Sequence, residues 1–318
     1  MGDDCCKSVK VFAPATVANV VCGFDVLGFA VNEPGDEIIA RFTDKQGVVI
    51  KAIHGDDGKL PMDPEKNTVS AAIISYLKKI GESGRGVEIE LFKKMPVGSG
   101  LGSSAASTVA GLFAINTLFN QRLTTQELLP LAIEGEFLAC GQGHADNVAP
   151  GLLGGFVLIR SYDPLDVIRL HTPPELICSL VHPHIEVQTR DARRIIKKQV
   201  PLKDAVTQWG NIAGFVSGLY QENYDLISRS MQDVIIEPVR SILIPDFYAL
   251  KQKALEAGAL GFGISGSGPA VFALSRNESV ARKIAEAVQL HLQQLGIDSD
   301  TYISHVNPKG PYVLDTDC

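Results

Sequence analysis

The chain has 318 residues, of which 45% are hydrophobic and 20% charged, and its formal net charge is −7. That composition is typical of a globular protein and excludes a disordered or fibrous one. The acidic balance and the dispersed basic residues argue against a general nucleic-acid-binding surface, and no apolar run approaches the roughly 18–20 residues of a membrane span.

The length predicts about two domains, because a single hydrophobic core stops growing at roughly 250–300 residues. The cysteines include no CxxC pair, so a cysteine-ligated zinc site is not expected. The N-terminal residues MGDDCCKSVK lack the apolar core of a signal peptide. We therefore expect a cytoplasmic protein with free thiols. The cysteines are Cys5, Cys6, Cys22, Cys140, Cys178 and Cys318.

In the first half of the chain, alternating or short apolar runs predict strands, and a 3.6-residue apolar period predicts helices. The helix over residues 68–79 can be capped by Asn67 or Thr68. The helix over residues 104–119 is expected to bury one face. The predicted elements are strands 9–13, 36–42 and 48–53, helix 68–79, strand 87–92, helices 104–119 and 125–139, and strand 154–159.

The composition changes near residues 161–174, which carry three prolines, and this predicts a division into domains 1–163 and 164–318. Strands and helices mix irregularly on both sides, so the predicted fold class is α+β rather than a doubly wound sheet. The predicted elements beyond the division are strand 176–182, helices 190–198, 202–220, 224–232 and 245–257, strand 270–275, helix 278–296 and strand 300–305.

The stretch MPVGSGLGSSAAS, residues 95–107, places three glycines and four serines between a predicted strand and a predicted helix. The first amides of a helix have no intrahelical partner and carry a partial positive charge, and glycines let the backbone curl around an anion. The stretch therefore predicts a nucleotide phosphate site, with a tight structural turn as the alternative.

Two common phosphate-binding patterns do not match this stretch. No lysine follows the last glycine, as the P-loop requires, and the third glycine of a dinucleotide fingerprint is missing. A literal GxGxxG does occur at residues 261–266, but it follows a predicted helix and leads into a strand. That order is the reverse of the fingerprint's, so this match is discarded.

Three segments together resemble the motifs of the GHMP small-molecule kinases. They are VFAPATVANVVCGFDVLGFAV, PVGSGLGSSAA and GFGISGSGPAVFAL, in that order. Within that superfamily, GHADNVAPGLLGGF, TRDARRI and DVIIEPVR are similar to segments of the homoserine kinase branch. The resemblance covers nearly the whole chain. One departure is Val21, which stands where the branch usually has glycine.

The resemblance implies a two-domain fold, an N-terminal α+β domain containing a left-handed βαβ unit and a C-terminal ferredoxin-like α/β-plait domain. It implies ATP and Mg²⁺ as cofactors and L-homoserine as the substrate, phosphorylated on its side-chain hydroxyl in threonine biosynthesis. It also implies a homodimer, with neither nucleic acid nor membrane as a partner. Two alternatives stay open: a GHMP kinase for a different alcohol, and a non-catalytic ligand-binding member of the fold.

Homoserine is a zwitterion, so its site needs cations for the carboxylate and anions for the ammonium. Arginine pairs with carboxylates through two parallel hydrogen bonds. The resemblance assigns Arg193 and Arg240 to the carboxylate, and Asp25 and Asp146 to the ammonium and hydroxyl. Asp146 is the first candidate for a general base, with direct proton loss to the γ-phosphate as the rival. The other substrate-side and catalytic residues implied are Asn19, His144, Asn147, Thr189 and Gly268.

On the nucleotide side, the resemblance implies that Glu136 binds Mg²⁺ together with Ser104. Mg²⁺ prefers a few carboxylates in addition to phosphate oxygens and water. Asn67 is the candidate for the nucleotide base, and Lys93 for a further contact with ATP. The implied phosphate-binding residues are Pro96, Val97, Gly98, Ser99, Gly100, Leu101, Gly102, Ser103, Ser104, Ala105 and Ala106.

Overall fold

The computed structural model describes residues 7–140 and 143–317. It contains a seven-stranded sheet and a four-stranded sheet with helices packed against both. Within these residues, no helix combines the length and the apolar character needed to cross a bilayer. Cys22 and Cys178 are buried free thiols, whereas Cys5, Cys6 and Cys318 lie outside the described residues.

The larger sheet has the strand order β11-β1-β2-β4-β3, and a β5–β6 hairpin extends it through pairing of β5 with β2. Its one parallel pair among the described strands is β3–β4, and the connection between them is the helix α1. This βαβ unit leads directly into the glycine–serine stretch. The strands are β1 (Ser8–Ala18), β2 (Leu27–Thr43), β3 (Val48–His54), β4 (Gly86–Phe92), β5 (Phe156–Tyr162), β6 (Leu165–Arg169) and β11 (Tyr312–Asp317).

The helices α1 (Thr68–Lys79), α2 (Ser103–Leu118) and α4 (Ala145–Leu153) pack against this sheet, and α3 (Thr125–Cys140) packs against these three helices. The sequence predicted one buried face for α2, and that was wrong, because 13 of its 16 residues are buried. Alanine, serine and glycine have small side chains, so the sheet and the neighbouring helices can approach α2 closely from several sides. The start of α2 is therefore held firmly in place.

The smaller sheet has the order β10-β7-β9-β8 and is antiparallel throughout. Its elements follow one another as β7, α9, β8, β9, α10 and β10, which is the ferredoxin-like pattern, and this confirms the expected fold. The bounds are β7 (Ile177–Pro183), α5 (Thr189–Arg194), α6 (Leu202–Gln221), α7 (Tyr224–Ser230), α8 (Glu237–Arg240), α9 (Phe247–Glu256), β8 (Gly261–Ile264), β9 (Val271–Ser275), α10 (Glu278–Gln294) and β10 (Ser299–His305).

One hydrophobic core joins the two sheets. Phe29 of β2 lies with its ring centroid 4.7 Å from that of Phe156 and 5.9 Å from that of Phe272 on β9. Phe215 of α6 continues the cluster, 5.7 Å from Phe156. The other face of the smaller sheet packs against α9 and α10 around Val181. Because apolar contacts span the junction, the two halves hold the groove between them in a defined shape.

The division into domains 1–163 and 164–318 stays a prediction, and strand pairing crosses it. The 163/164 boundary falls inside the β5–β6 hairpin, so a cut there would separate paired strands. In addition, β11 returns from the C-terminal end of the chain and pairs with β1. Pro164 lies in the turn of the hairpin, whereas Pro173 and Pro174 lie in the connection from β6 to β7. The larger sheet therefore takes strands from both ends of the chain.

Candidate active site

A cavity of about 410 Å³ lies between the two sheets, and it brings together most of the residues predicted for the site. Its walls come from the turn after β1, the glycine–serine stretch, the starts of α2, α4 and α5, and the loop between β8 and β9. The lining residues are Asn19, Asp25, Gly98, Ser99, Gly100, Gly102, Ser103, Ser104, Ala105, Glu136, His144, Asp146, Asn147, Thr189, Arg190, Arg193, Arg240, Gly266 and Ser267.

Hydrogen bonds hold the three resembling segments against one another. The amide of Thr16 donates to the carbonyl of Leu101 at 3.0 Å. The hydroxyl of Ser265 donates to the carbonyl of Gly100 at 2.7 Å, and the Asn19 side chain donates to the carbonyl of Gly266 at 2.8 Å. Segments far apart in the chain thus form one polar floor for the cavity.

Glycine is required at two points of the phosphate-type loop. Gly98, Gly100 and Gly102 all have positive φ values, of 76°, 81° and 67°. A Cβ on Gly100 would lie 2.7 Å from the carbonyl oxygen of Ser265, and one on Gly102 would lie 2.0 Å from the hydroxyl of Thr16. A side chain on Gly100 would push the third segment away, and one on Gly102 would push the first segment away, so the glycines allow both the curl and the contacts.

The loop can donate to an anion because Gly102, at the N-cap of α2, has no side chain with which to satisfy the first amides of the helix. The residues that carry these amides, Ser103, Ser104 and Ala105, line the cavity. The side chains of Leu101 and Ala106 are fully buried in the core, so they can contribute only backbone groups. Pro96 and Val97 lie on the approach to the loop and do not line the cavity, among the residues described.

Ser104 and Glu136 lie together at the rim, as expected for a shared cation. The Ser104 hydroxyl donates to Glu136 Oε1 at 2.5 Å, and Glu136 is only 3% exposed. Both offer hard oxygen atoms beside the helix start that would hold phosphate, so the residues present fit Mg²⁺. The magnesium contact itself remains a prediction.

Lys93 occupies a different position from the one predicted. Its ammonium group pairs with Asp36 and donates to the carbonyl of Ser103 at 2.9 Å and to the hydroxyl of Ser107 at 2.7 Å. The Lys93 side chain is 2% exposed and does not line the cavity among the described residues. This argues against a direct contact with ATP. Lys93 instead ties the first turn of α2 to β2 through Asp36.

Asn67 also serves a structural purpose. Its side chain accepts from the amide of Val69 at 3.1 Å and donates to the carbonyl of Pro61 at 3.1 Å, so it caps α1 as the sequence predicted. Asn67 is 4% exposed and lies away from the cavity lining described here. Its contact with the nucleotide base therefore remains a prediction without support from this geometry.

The acceptor side of the cavity carries an ion pair. Both terminal nitrogens of Arg193 donate to the Asp25 carboxylate at 2.9 Å, although the two residues are 168 positions apart in sequence. The ring of Phe24 lies under both guanidinium groups, with its centroid 5.6 Å from Arg193 Cζ and 4.9 Å from Arg240 Cζ. Arg240 is 4% exposed and donates to the carbonyl of Gly266 at 3.0 Å. Two cations and one carboxylate therefore line the same wall.

Asp146 and His144 stand at the start of α4, beside this wall. Burial, with the Asp25 charge as the second cause, raises the pKa of Asp146 to about 6. The nearby Glu136 carboxylate raises the pKa of His144, and the His144 Nε2 atom is buried with no hydrogen-bond partner among the described residues. Gly28 allows this approach, since a Cβ there would lie 2.0 Å from the carbonyl oxygen of Asp146.

Most of the remaining predicted residues connect neighbouring segments through side-chain hydrogen bonds. Asn147 accepts from the Thr16 hydroxyl at 3.0 Å, and the hydroxyls of Thr189 and Ser267 are 3.1 Å apart. Gly268, with φ of 81°, shapes the third loop but does not line the cavity in the described structure. Arg190 also lines the cavity, and the residue is exposed to solvent.

The sequence analysis missed two residues that support the acceptor side of the site. Phe24 stacks under both arginines, and its only sequence signal was its place inside the first resembling segment. Tyr162 donates to the carbonyl of Asp25 at 2.7 Å and supports the acidic side of the ion pair. Tyr162 closes the β5 strand, and nothing in the local sequence connects it with residues near the N-terminus.

The departure at Val21 has a structural cost. Val21 has φ of 60°, and Val20 before it has φ of 43°, both in the left-handed region that β-branched residues avoid. The Val21 side chain is buried against Gly263, where a Cβ would lie 2.7 Å from Val21 Cγ2. Burial of its methyl groups thus offsets strain that a glycine would not have.

Family models match both halves of the chain. The GHMP kinases N terminal domain matches residues 67–155, and the GHMP kinases C terminal domain matches residues 212–294. This chain belongs to the GHMP kinase family. A homoserine kinase of Chloroherpeton thalassium is 50% identical, with 97% of this chain and 100% of that protein covered. A homoserine kinase of Xylella fastidiosa is 39% identical over 96% of this chain and 94% of its own length.

Solved structures agree with the family assignment. The crystal structure of homoserine kinase from Cytophaga hutchinsonii is 60% identical, covers 97% of this chain and 98% of its own, and has a TM-score of 0.95. The L. major mevalonate kinase structure has a TM-score of 0.70 at 16% identity and shows the shared fold alone. The resemblance to the homoserine kinase branch of the family is therefore confirmed.

Proposed function

We propose that this protein transfers the γ-phosphoryl group of ATP to the side-chain hydroxyl of L-homoserine, giving O-phosphohomoserine and ADP. The observation that carries the proposal is the wall formed by Arg193, Asp25 and Arg240, which faces an amide-lined loop across one cavity. A small zwitterion fits such a wall, since it presents one carboxylate and one ammonium. The relatives named homoserine kinase, similar along their full lengths, support the same substrate.

The donor side would hold the nucleotide phosphates. The unsatisfied amides at the start of α2 and the curled glycines face the cavity, and they would bind the phosphate oxygens. Ser104 and Glu136 would hold Mg²⁺, which supplies neutralisation of the phosphate charge. Lys93 and Asp36 keep the loop from moving when these charges arrive. Phosphoryl transfer depends mostly on such positioning and charge compensation.

On the acceptor side, substrate binding would exchange partners within the ion pair. The substrate carboxylate would take the face of Arg193 that Asp25 now occupies, with Arg240 beside it. The freed Asp25 carboxylate would then pair with the substrate ammonium. Two opposite-charge pairs would then replace the single Arg193–Asp25 pair, so neither the charges of the substrate nor those of Arg193 and Asp25 would lack a partner.

The proton of the attacking hydroxyl has two possible destinations. Asp146 is buried, and its pKa of about 6 leaves it ionised but basic near neutral pH, as a general base requires. In that case the hydroxyl proton moves to an Asp146 carboxylate oxygen as the oxygen attacks. The rival is proton transfer to the γ-phosphate, with Asp146 only orienting the substrate. Removal of the Asp146 charge distinguishes these routes, as set out below.

A substrate panel tests the function. Purified protein is incubated with Mg·ATP and homoserine, mevalonate, shikimate, threonine or galactose, and ADP release and phosphorylated product are measured. We expect turnover with homoserine alone. Turnover with another alcohol would indicate a GHMP kinase of different specificity, and nucleotide binding without ADP release on any substrate would indicate a non-catalytic member.

Glu136→Gln supplies the control for metal binding. The variant should need a higher Mg²⁺ concentration for half-maximal rate and lose at least about tenfold in kcat, because one buried oxygen anion is lost from the metal site. Glu134→Gln is the matched control, since Glu134 lies on the same helix but is exposed. Equal Mg²⁺ dependence in the two variants would remove Glu136 from the site.

Three further expectations stay predictions. The homodimer implied by the family resemblance is tested by sedimentation of the purified protein. Cytoplasmic location is tested by cell fractionation. The absence of nucleic-acid binding is tested by mobility shift with duplex DNA at low salt, where charge-driven binding is strongest.

A further inference from the structure

A second polar cluster lies on the smaller sheet, outside the active-site cavity. The chain reads His182-Pro183-His184 at the end of β7. Residues two apart in extended backbone point to the same side, so both imidazoles lie on one face. Asp300 of β10 is the register partner of His182 across the antiparallel pair. Directly opposed side chains share a face, which adds the carboxylate to the two rings.

The three side chains converge on a common point. Asp300 Oδ2 lies 3.0 Å from His184 Nε2 and 3.7 Å from His182 Nδ1. One donor atom from each of the three residues lies within 4.8 Å of the others. The His182 side chain is only 9% exposed, and its Nδ1 atom has no hydrogen-bond partner within the described structure. A buried polar atom left unsatisfied costs free energy unless a ligand completes it.

We propose that His182, His184 and Asp300 bind a divalent transition metal ion, with Zn²⁺ the best match. Two imidazole nitrogens and one carboxylate oxygen suit Zn²⁺, whereas Mg²⁺ prefers oxygen ligands alone. Three protein ligands leave a fourth tetrahedral position for water. The lack of CxxC pairs argues against a cysteine-ligated zinc site but has no bearing on a site of this type.

The chemical state of the ligands agrees with metal binding. His182 Nδ1 has no hydrogen-bond partner within the described structure, so its lone pair can be offered to a metal ion. The side chains of His184 and Asp300 are 48% and 45% exposed, which provides an ion with a path from solvent.

The location suggests what the ion would do. It would join β10, at one edge of the smaller sheet, to β7 through side chains in addition to the backbone ladder. His184 lies five residues before Thr189, where the helix that carries Arg193 begins. Bound metal would therefore stabilise the sheet edge and restrain the segment that leads to the active site. Within the described chain, the cluster shares no residue with the lining of the active-site cavity.

Metal titration of the full chain tests the proposal. Protein is treated with chelator, dialysed, and titrated with Zn²⁺ in a calorimeter, and separately with Co²⁺ while the visible ligand-field absorption is recorded. We expect one Zn²⁺ equivalent that raises the melting temperature of the wild type. Removal of either accessible ligand, in His184→Ala or Asp300→Asn, should weaken this equivalent by at least about tenfold.

His171→Ala is the matched control, because His171 is an exposed histidine bonded to a single carboxylate at 2.8 Å. It should bind Zn²⁺ as the wild type does. An ion bound by cysteines or by the active site would still bind to His184→Ala. Binding that persists in this variant is therefore distinguished from binding at the proposed site. Circular dichroism verifies the fold of each variant, and Asp300→Asn, which keeps the side-chain size, decides the matter if His184→Ala does not fold. Equal Zn²⁺ affinity in Asp300→Asn and the wild type would overturn the proposal.

Discussion

Asp146→Asn should make the protein more stable while it lowers activity. Asp146 is 3% exposed, and its folded-state pKa of about 6 stands above the ordinary value of 3.8. The difference is about two pKa units, and each unit corresponds to about 1.36 kcal/mol, so ionised Asp146 costs the folded state up to about 3 kcal/mol. Asparagine has nearly the same shape and carries no charge, so it removes that cost.

The stability gain of Asp146→Asn should depend on pH, in a direction that follows from the raised pKa of Asp146. A carboxyl whose folded pKa is raised holds its proton more tightly in the folded state, so its ionisation destabilises the fold as pH rises. Below pH 3.8 both states of the wild type are protonated at this position, and the variant gains nothing. The gain should grow between about pH 4 and 6 and stay constant above.

Urea unfolding followed by circular dichroism at pH 4.5 and pH 7.5 measures the difference. Asp56→Asn is the control of opposite sign, because backbone amides of Leu60 and Gly58 together outweigh the effect of burial and lower the Asp56 pKa. That variant should be less stable than the wild type at pH 7.5. If Asp146→Asn is no more stable than the wild type, or its gain is the same at both pH values, the reasoning from burial is wrong.

The activity of Asp146→Asn tests where the proton of the attacking hydroxyl goes. If Asp146 is the general base, kcat for homoserine should fall by more than about tenfold, which corresponds to ~1.4 kcal/mol of activation free energy. A smaller loss in a well-folded variant would favour direct proton transfer to the γ-phosphate.

Three other substitutions have defined outcomes. Lys93→Met should lower the free energy of unfolding by about 3–5 kcal/mol, because it leaves the buried Asp36 carboxylate unpaired. Lys94→Met should cost under about 1 kcal/mol by urea titration, because Lys94 is exposed and its partner Glu37 keeps its ion pair with Lys10. Gly100→Ala should raise the KM for ATP and destabilise by about 1–3 kcal/mol, while Gly47→Ala, with positive φ but open space around it, should leave KM unchanged. Arg240→Lys should raise the KM for homoserine by about tenfold or more with little change in the KM for ATP, since a charged hydrogen bond contributes roughly 1.5–3 kcal/mol. Equal KM shifts for both substrates would place Arg240 outside the acceptor site.

The sequence predicted the bounds of those helices and strands that are set by neighbouring residues. The α1 helix begins and ends where its apolar period and the Asn67 cap predicted, over Thr68–Lys79. The period-2 alternation before the glycine–serine stretch predicted β4 to within one residue. The three glycines of that stretch indicated a curled backbone, because positive φ is a property of the single residue. The resembling segments also indicated most of the residues that line the cavity.

Local signals failed where glycine and proline carry little side-chain pattern. Helix α4, which presents Asp146, contains Pro150 and Gly151 and was not predicted. Strand β8 was not predicted either, although Gly261 and Gly263 leave room there for Met231 and Val21. These glycines meet side chains that are distant in sequence, so no window around them contains the reason for the strand.

Tertiary structure alone decided which charges meet. Asp25 and Arg193 pair only because the turn after β1 and the start of α5 face one another across the junction of the two sheets. The same holds for His184 and Asp300, which are brought together by the register of β7 and β10. The sequence specifies which groups can ionise or bind an ion, but their partners depend on long-range packing, which sets both the distance and the burial that determine each interaction energy.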